Sequence, residues 1–309
     1  MLSEVTMVGQ IAVKASIGVL LGSLGEIVTE KSGVLNLGVE GMMLFGAMAG
    51  FAVGSITGNA YLAASAGMVG GGLLGLLHAV FSISLQANQV LSGLAITIFG
   101  SGLAHFLGRP FINARGVTLA PLPIPLLSDI PVLGKVFFSQ SILAYTAYAL
   151  TLILYFMLTK SRTGLVIRAA GEDAAAADAA GTPVTTIRYA STVFGGMLAG
   201  LGGAYLSLVH TPGWKEHMTG GQGWIAIAMV LFSVWNPLWA FCGALLFGVL
   251  TALQFAFQMW GVTAVPQYIL KMMPYLLTIM VMAVIHLSPS LRRKSGAPGD
   301  LGRPFSREG

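Results

Sequence analysis

The run Tyr61-Leu62-Ala63-Ala64-Ser65-Ala66-Gly67-Met68-Val69-Gly70-Gly71-Gly72-Leu73-Leu74-Gly75-Leu76-Leu77-His78-Ala79-Val80-Phe81-Ser82-Ile83-Ser84-Leu85 contains no Asp, Glu, Lys or Arg. It is longer than the ~20 apolar residues that cross ~30 Å of hydrocarbon. Only helices and closed barrels satisfy their backbone there, and barrel strands alternate polar with apolar residues, which this run does not. It therefore reads as a membrane-spanning helix, and the pattern recurs along the chain. Spans are expected near Gln10–Val28, Gly33–Gly54, Tyr61–Leu85, Val90–Leu107, Ile142–Leu158, Tyr189–Val209, Gly223–Val234, Leu238–Met259 and Tyr268–Leu287. The expected fold is an all-α integral membrane protein of about nine transmembrane helices, within a range of 8–10.

Composition agrees. Of 309 residues, 55% are hydrophobic and 9% charged, and the mean hydropathy is +0.82. A soluble domain carries about a quarter charged residues. The net charge of +5 is modest and its basic residues sit in a few loops, which points to membrane topology and lipid rather than a nucleic acid polymer. The single cysteine, Cys242, is expected to be a small packing residue; it excludes a disulfide framework and a Cys-based metal site. The amino terminus has Glu4, no early Lys or Arg and no small-residue cleavage site, so the first span is expected to stay in the membrane.

Lys160, Arg162, Arg168 and Arg188 cluster in one stretch, and Arg292, Arg293, Lys294, Arg303 and Arg307 in the tail. Both are expected to be cytoplasmic by the positive-inside rule. The Pro-rich loop Gly108–Ser139 is then external, although it holds Arg109, Arg115 and Lys135.

The third span also sits without a gap beside Pro237–Phe257. Leu62/Leu238, Ala64/Ala240, Gly67/Gly243, Gly72/Gly248, Leu74/Leu250, Leu77/Leu253 and Phe81/Phe257 are identical pairs. The copies are the third and eighth spans, so they cross in opposite senses. One transmembrane domain, 1–309, is expected to contain inverted repeat halves at about 10–107 and 189–287. A cytoplasmic loop 160–188 and a cytoplasmic tail 288–309 complete it. The second and seventh spans look short and glycine-interrupted at equivalent places, the sequence feature that most often marks a substrate path.

Around those segments stand the candidate path residues Asn36, Glu40, Asn88, Gln89, Gln222 and Trp224. Glu40 reads either as a helix-start residue, favourable in a first turn, or as a lining of a wet cavity; Asn36 carries the same two readings. Asn88 and Gln89 read as helix-end capping or as vestibule lining. Trp214 and Trp224 suit an interfacial belt, while an aromatic beside Gln222 would also suit a flat, polar ligand. Glu26 and Glu30 are expected to be solvated or paired beside Lys31, and His78 to bond between helices. Motifs of metalloprotease, serine hydrolase or P-loop chemistry are missing, so no catalytic residue and no metal site is assigned.

The most specific segment is Arg168-Ala169-Ala170-Gly171-Glu172-Asp173 through an alanine run to Ala180-Gly181. Glu172 and Asp173 suit a helix start and Gly181 a stop, which leaves a short helix of little bulk able to seat in a partner's groove. This segment resembles the coupling loop of bacterial ABC importer permeases of the ribose, branched-chain amino-acid and nucleoside branch. The stretch Glu26 to Met43, and Gly223-Trp224-Ile225-Ala226-Ile227-Ala228 followed by Asn236-Pro237-Leu238, are similar to the nucleoside-type permeases. Asp173-Ala174, where relatives often carry Asn-Pro, and Thr182 depart from the pattern. The resemblance implies that Arg168, Gly171, Glu172, Asp173, Ala176, Ala177 and Gly181 couple to an ATPase. It implies no cofactor in this chain, with ATP-Mg on partner ATP-binding subunits. It further implies a second permease subunit, homo- or heterodimeric, an external substrate-binding protein or lipoprotein, and a bacterial plasma (inner) membrane location. The function implied is alternating-access import, with nucleosides as substrate. Sugar or branched-chain amino-acid permeases are the alternatives within the class. An ion-coupled secondary transporter or a channel is the alternative outside it.

Overall fold

The computed structural model describes residues 2–259 and 297–306, with isolated helical positions between 269 and 287. Its long helices are α1 (Leu2–Lys31), α2 (Val39–Thr57), α3 (Ala60–Ala79) and α4 (Gln89–Gly108). After a short α5 (Leu133–Phe137) come α6 (Ile142–Lys160), α7 (Arg162–Glu172), α8 (Ala174–Ala179), α9 (Val184–Tyr205), α10 (Gln222–Phe232) and α11 (Pro237–Met259). The helices α3 and α9 each continue through a π-helical turn, Val80–Ser84 and Leu206–His210. Seven helices are long and apolar enough to cross a membrane, and α10, at 11 residues, is not. The nine expected spans thus become seven plus the short α10 among the described residues. The ninth, Tyr268–Leu287, lies outside them apart from the isolated positions.

A second expectation also changes. The helix α2 runs for 19 residues, about 29 Å, so only α10 is short. Gly41 does not interrupt α2, because it is seated against the backbone of Ile96 and Thr97 in α4, where a side chain would not fit.

The centre of the bundle is α1 and α9. In its most apolar window α1 is 89% buried and α9 78%, against 28% for α4 and 33% for α6. Lipid tails are as apolar as leucine, so helices in a membrane associate through close packing of small residues. Here Gly71 meets Gly196 and Gly200 across the α3–α9 seam, and Gly46 of α2 reaches the same Gly200. The outer faces of α3, α4, α6 and α11 expose large apolar side chains such as Leu73, Ile98, Phe156 and Trp239. Cys242 lies on the exposed face of α11 and not in the core.

In the expected repeat the pair α3–α9 would correspond to α11–α1; both pairs are in extensive contact. Gly67 of α3 lies against Ala204 and Gly200 of α9 as well as Gly46 of α2, and Gly72 against Met197 of α9. Gly243 of α11 lies against Met229 and Phe232 of α10, and Gly248 against Ala12 of α1.

The ends of the bundle differ. At one end lie the turn after α1, the start of α4, α7, α8, the start of α9 and residues 298–305. At the other lies the 109–141 loop, where Leu119 N–H donates to Leu208 O at 3.1 Å and Gln10 donates to Lys135 O at 3.0 Å.

Candidate transport path and coupling face

Glu40, in the first turn of α2, holds the start of α10. Its Oε1 accepts from the Thr219 hydroxyl at 2.6 Å and from Gly221 N–H at 3.0 Å; its Oε2 accepts from Gly223 N–H at 2.7 Å. The first amides of a helix have no intrahelical acceptor and carry partial positive charge. The carboxylate, carried on the first turn of α2, therefore caps the amino terminus of α10. Gly223 is required here because its Cα lies against the Glu40 backbone. This junction is not at an end of the bundle. Gly22 of α1 packs beside Ala226 and Val39, and roughly 14 Å of helix separates Gly22 from Lys31. Two helix amino termini meeting deep within a bundle of spans is the arrangement with which transporters hold a substrate.

Gln222 is at the same junction. Its Oε1 lies beside Gly18 of α1, buried and without a hydrogen-bond partner. Trp224, two residues on, is 39% exposed. An opening of about 570 Å³ is lined by Ile11, Lys14, His210, Thr211, Phe255 and Met259.

The other path candidates gather one layer away, around the α1–α2 turn. Asn36 is wholly buried. Its backbone N–H donates to Glu26 Oε1 at 3.1 Å, its amide to Glu26 Oε2 at 3.2 Å, and its Oδ1 accepts from Gly38 N–H at 2.8 Å. Gln89 is buried and accepts from Leu35 N–H at 2.7 Å. His78 joins Leu35 O and Ser92 Oγ, at 3.1 and 3.0 Å, as an interhelical bond. The carbonyl can only accept, so Nε2 carries the proton and Nδ1 accepts from Ser92. Thr97 donates to Leu37 O at 2.8 Å. Asn88 is exposed and caps α4 through Leu91 N–H at 3.1 Å. The structure therefore brings Glu40, Gln222 and Trp224 together, and Asn36 with Gln89; Asn88 stands apart.

Glu26 and Glu30 correct an expectation. Neither is solvated: both are buried, and Glu30 accepts from Trp235 Nε1 at 2.6 Å. The tryptophan over Glu30 comes from distant sequence, and Asn36 reaches Glu26 only because the chain folds back after α1, which is why their burial could not be read locally.

On the end face, α8 starts at Asp173 and stops before Gly181 as expected, but Glu172, expected at its start, is the last residue of α7. Asp173 caps it, accepting from Ala176 N–H at 2.9 Å, and Gly181 follows at φ +85°, a conformation that favours glycine. Ala175, Ala176, Ala179 and Ala180 are exposed, whereas Ala174 and Ala177 are buried against Ala170 and Val184. Arg168, Glu172 and Asp173 are exposed. Gly171 is buried, and its place is set from within, since a side chain there would strike Lys31 O. Sequence reading missed α7 and the partners of Arg188. This arginine is 2% exposed and donates to Ser32 O, Ala170 O and Arg303 O at 3.1, 3.2 and 3.0 Å.

A multi-pass bundle with a small, alanine-faced helix at one end and a capped half-length helix inside defines the class of transport permeases. The chain belongs to the family of permease components of branched-chain amino acid transport systems, whose model matches residues 7–282. It is 37% identical, over 96% of each chain, to a putative glucose ABC transporter permease protein, TsgC13 of Haloferax volcanii. It is 35% identical to the guanosine ABC transporter permease protein NupQ of Bacillus subtilis, over 92% of this chain and 93% of the other. It is 33% identical to the nucleoside ABC transporter permease protein NupC of Lactococcus lactis, over 85% and 86%. No solved structure matches. The protein is a multi-pass permease subunit of the plasma membrane. Permease subunits of this kind are not enzymes, and ATP is bound by partner subunits.

Proposed function

We propose that this chain is the permease of an ATP-driven importer of nucleosides, working by alternating access between two openings of one central path. The observation that carries the reading is the Glu40 junction, where the α2 and α10 amino termini meet inside a bundle that resembles guanosine and nucleoside permeases along most of its length. A nucleoside offers neutral donors to the unpartnered Gln222 carboxamide oxygen, beside the α10 amides that Glu40 holds, and a flat face to Trp224. Asn36 and Gln89 would then support the path from the side of the α1–α2 turn, whose backbone they hold, while Asn88 would serve at the start of α4, which it caps. On this reading the α7–α8 face and the tail are cytoplasmic and dock onto ATP-binding subunits through the exposed alanines of α8. A second permease subunit would cover part of the exposed apolar faces, and an external binding protein would deliver the ligand to the opposite end.

A sugar is the second reading, favoured by the similarity to the Haloferax glucose permease protein. Equilibrium binding of labelled guanosine and glucose to the cognate external binding protein separates the two. ATP-dependent uptake of the bound ligand into vesicles holding the full complex completes the test. Guanosine binding and uptake are expected; glucose uptake without guanosine uptake would overturn the nucleoside assignment.

A further inference from the structure

The carboxyl-terminal segment Pro298–Phe305 packs on the coupling face through bonds that no motif announces. Asp300 N–H donates to Gly171 O at 2.9 Å, and its carboxylate Oδ2 accepts from Ala174 N–H at 2.8 Å. Asp300 thus holds both sides of the α7–α8 joint: the last turn of α7 and the first amide of α8. Two residues on, Gly302 N–H donates to Gly33 O, in the α1–α2 turn, at 3.1 Å. Arg303 O accepts from buried Arg188, which also holds Ser32 of that turn and Ala170 of α7. Phe305 packs with the buried alanine cluster of α7 and α8, and its ring lies 6.0 Å from the Arg188 guanidinium carbon. The tail also walls two recesses, one beside α1 and α7 and one where α8 leads into α9. One, of about 350 Å³, is lined by Lys31, Leu165, Arg168, Glu172 and Pro298; the other, of about 210 Å³, by Asp178, Gly181, Pro183, Thr186 and Phe305 among others.

A continuous set of contacts then runs inward. The α1–α2 turn, fixed to the tail at Gly33, is held at Leu35 by Gln89 and His78 and at Asn36 by Glu26. It leads directly into Gly38 and Glu40, the residue that holds α10. Without the tail, α8 keeps its contacts to α7 and α9, and Gly171 keeps its seat against Lys31 and Gly33. The joint, however, loses both Asp300 bonds and the turn loses the Gly302 bond. Arg188, which bridges Ala170 and Ser32, loses its third acceptor. Alanines alone cannot replace these bonds, because they offer neither donor nor acceptor side chains.

We propose that Asp300 and Arg188 are positioning residues for coupling: the tail clasps the α7–α8 joint to the α1–α2 turn, so that movement of α8 is passed to the Glu40–α10 junction. This rests on the reading of α8 as the ATPase-docking helix. Contiguity alone is not coupling, and the physical warrant is a measured change at one site that depends on the link. The test is hydrogen exchange on the full permease–ATPase complex, nucleotide-free and trapped with ATP and vanadate, in wild type, Asp300→Ala and Asp300→Asn. In wild type, trapping should alter exchange in both 170–180 and 30–40. In Asp300→Ala, 170–180 should still respond while the response of 30–40 is lost. Asp300→Asn, which keeps an acceptor for Ala174, should restore it. Transport per ATP hydrolysed in Asp300→Ala should fall by about 5- to 150-fold, the range of ordinary coupling free energies. An unchanged 30–40 response in Asp300→Ala overturns the proposal. So does loss of ATPase co-purification in that variant, which would make the tail an anchor for the ATPase itself. The exchange measurement needs no substrate, so failure of guanosine uptake in wild type would count against the nucleoside reading alone. Failure of 170–180 to respond in wild type would instead remove the docking role of α8.

Discussion

At the scale of single residues, Glu40 does more than start a helix. Its two oxygens accept three bonds from the segment 219–223, and hydrogen bonds to a charged group contribute about 1.5–3 kcal/mol each. Glutamine offers one acceptor oxygen and turns an NH₂ toward donors. Glu40→Gln should therefore loosen the α2–α10 junction, lowering the thermal midpoint of the purified permease and its uptake rate. Gln222→Ala differs in kind. Its buried Oε1 has no partner in the fold, so its removal breaks no hydrogen bond of that atom and should lower the midpoint less than Glu40→Gln does, while uptake falls. If both variants keep normal transport and ligand-stimulated ATPase activity, the path does not run past this junction. The placement of Glu40 was legible in part: its sequence position beside a glycine-flanked short segment pointed to it. Its partners were not, because Thr219 and Gly221 are distant in sequence and reach it only once α1 and α10 pack.

At the scale of helices, α8 now separates two substitutions that sequence alone treated alike. Ala176 is exposed, and Ala177 is buried between α7 and α9. Ala176→Arg should leave the permease folded and disturb only the ATPase interface; a loss of ~2–3 kcal/mol there weakens association about 30- to 150-fold. Ala177→Arg forces a charge into the chain's own packing and should lower the thermal midpoint before any partner is added. Co-purification of the ATP-binding subunit and vesicle uptake measure the first, and a melting curve the second. Full uptake with Ala176→Arg would remove α8 as the coupling element. The glycine seam makes a parallel contrast. Gly200 meets Gly71 and Gly67 with no space for a side chain, while Gly102 on α4 has open surroundings. Gly200→Val should destabilise by at least the 1–3 kcal/mol typical of overpacking, and Gly102→Ala should be neutral or stabilising by up to about 1 kcal/mol. Elements were the most legible level, since hydropathy and length show spans directly: eight of the expected segments correspond to helices. What failed was the length of α2, because glycines that look like breaks are packing surfaces once a neighbouring helix is present.

At the scale of the molecule, which face looks inward rests on two arguments of different strength. Relative placement follows from bonds. The segment 162–188 and the tail share one face through Arg188–Arg303 and Ala174–Asp300, and the 109–141 loop occupies the other, joined to the opposite end of α1 through Gln10–Lys135. The absolute sense follows from charge. Lys31, Lys160, Arg162, Arg168, Arg188 and Arg303 gather on the first face, against Arg109, Arg115, Lys135 and Lys215 on the second, so the first should be cytoplasmic. Cysteine labelling in intact cells decides it. Cys242 is exposed on α11, so Cys242→Ala removes the native thiol without opening the core. In that background Leu126→Cys, 84% exposed on the loop, should react with an impermeant maleimide at once. Ala176→Cys should react only after the membrane is opened. Because both basic segments are tied together, no outcome in which they lie on different sides is compatible with this fold. Ready labelling of position 176 in intact cells would invert the whole permease, place α8 away from any cytoplasmic ATPase, and end the importer reading.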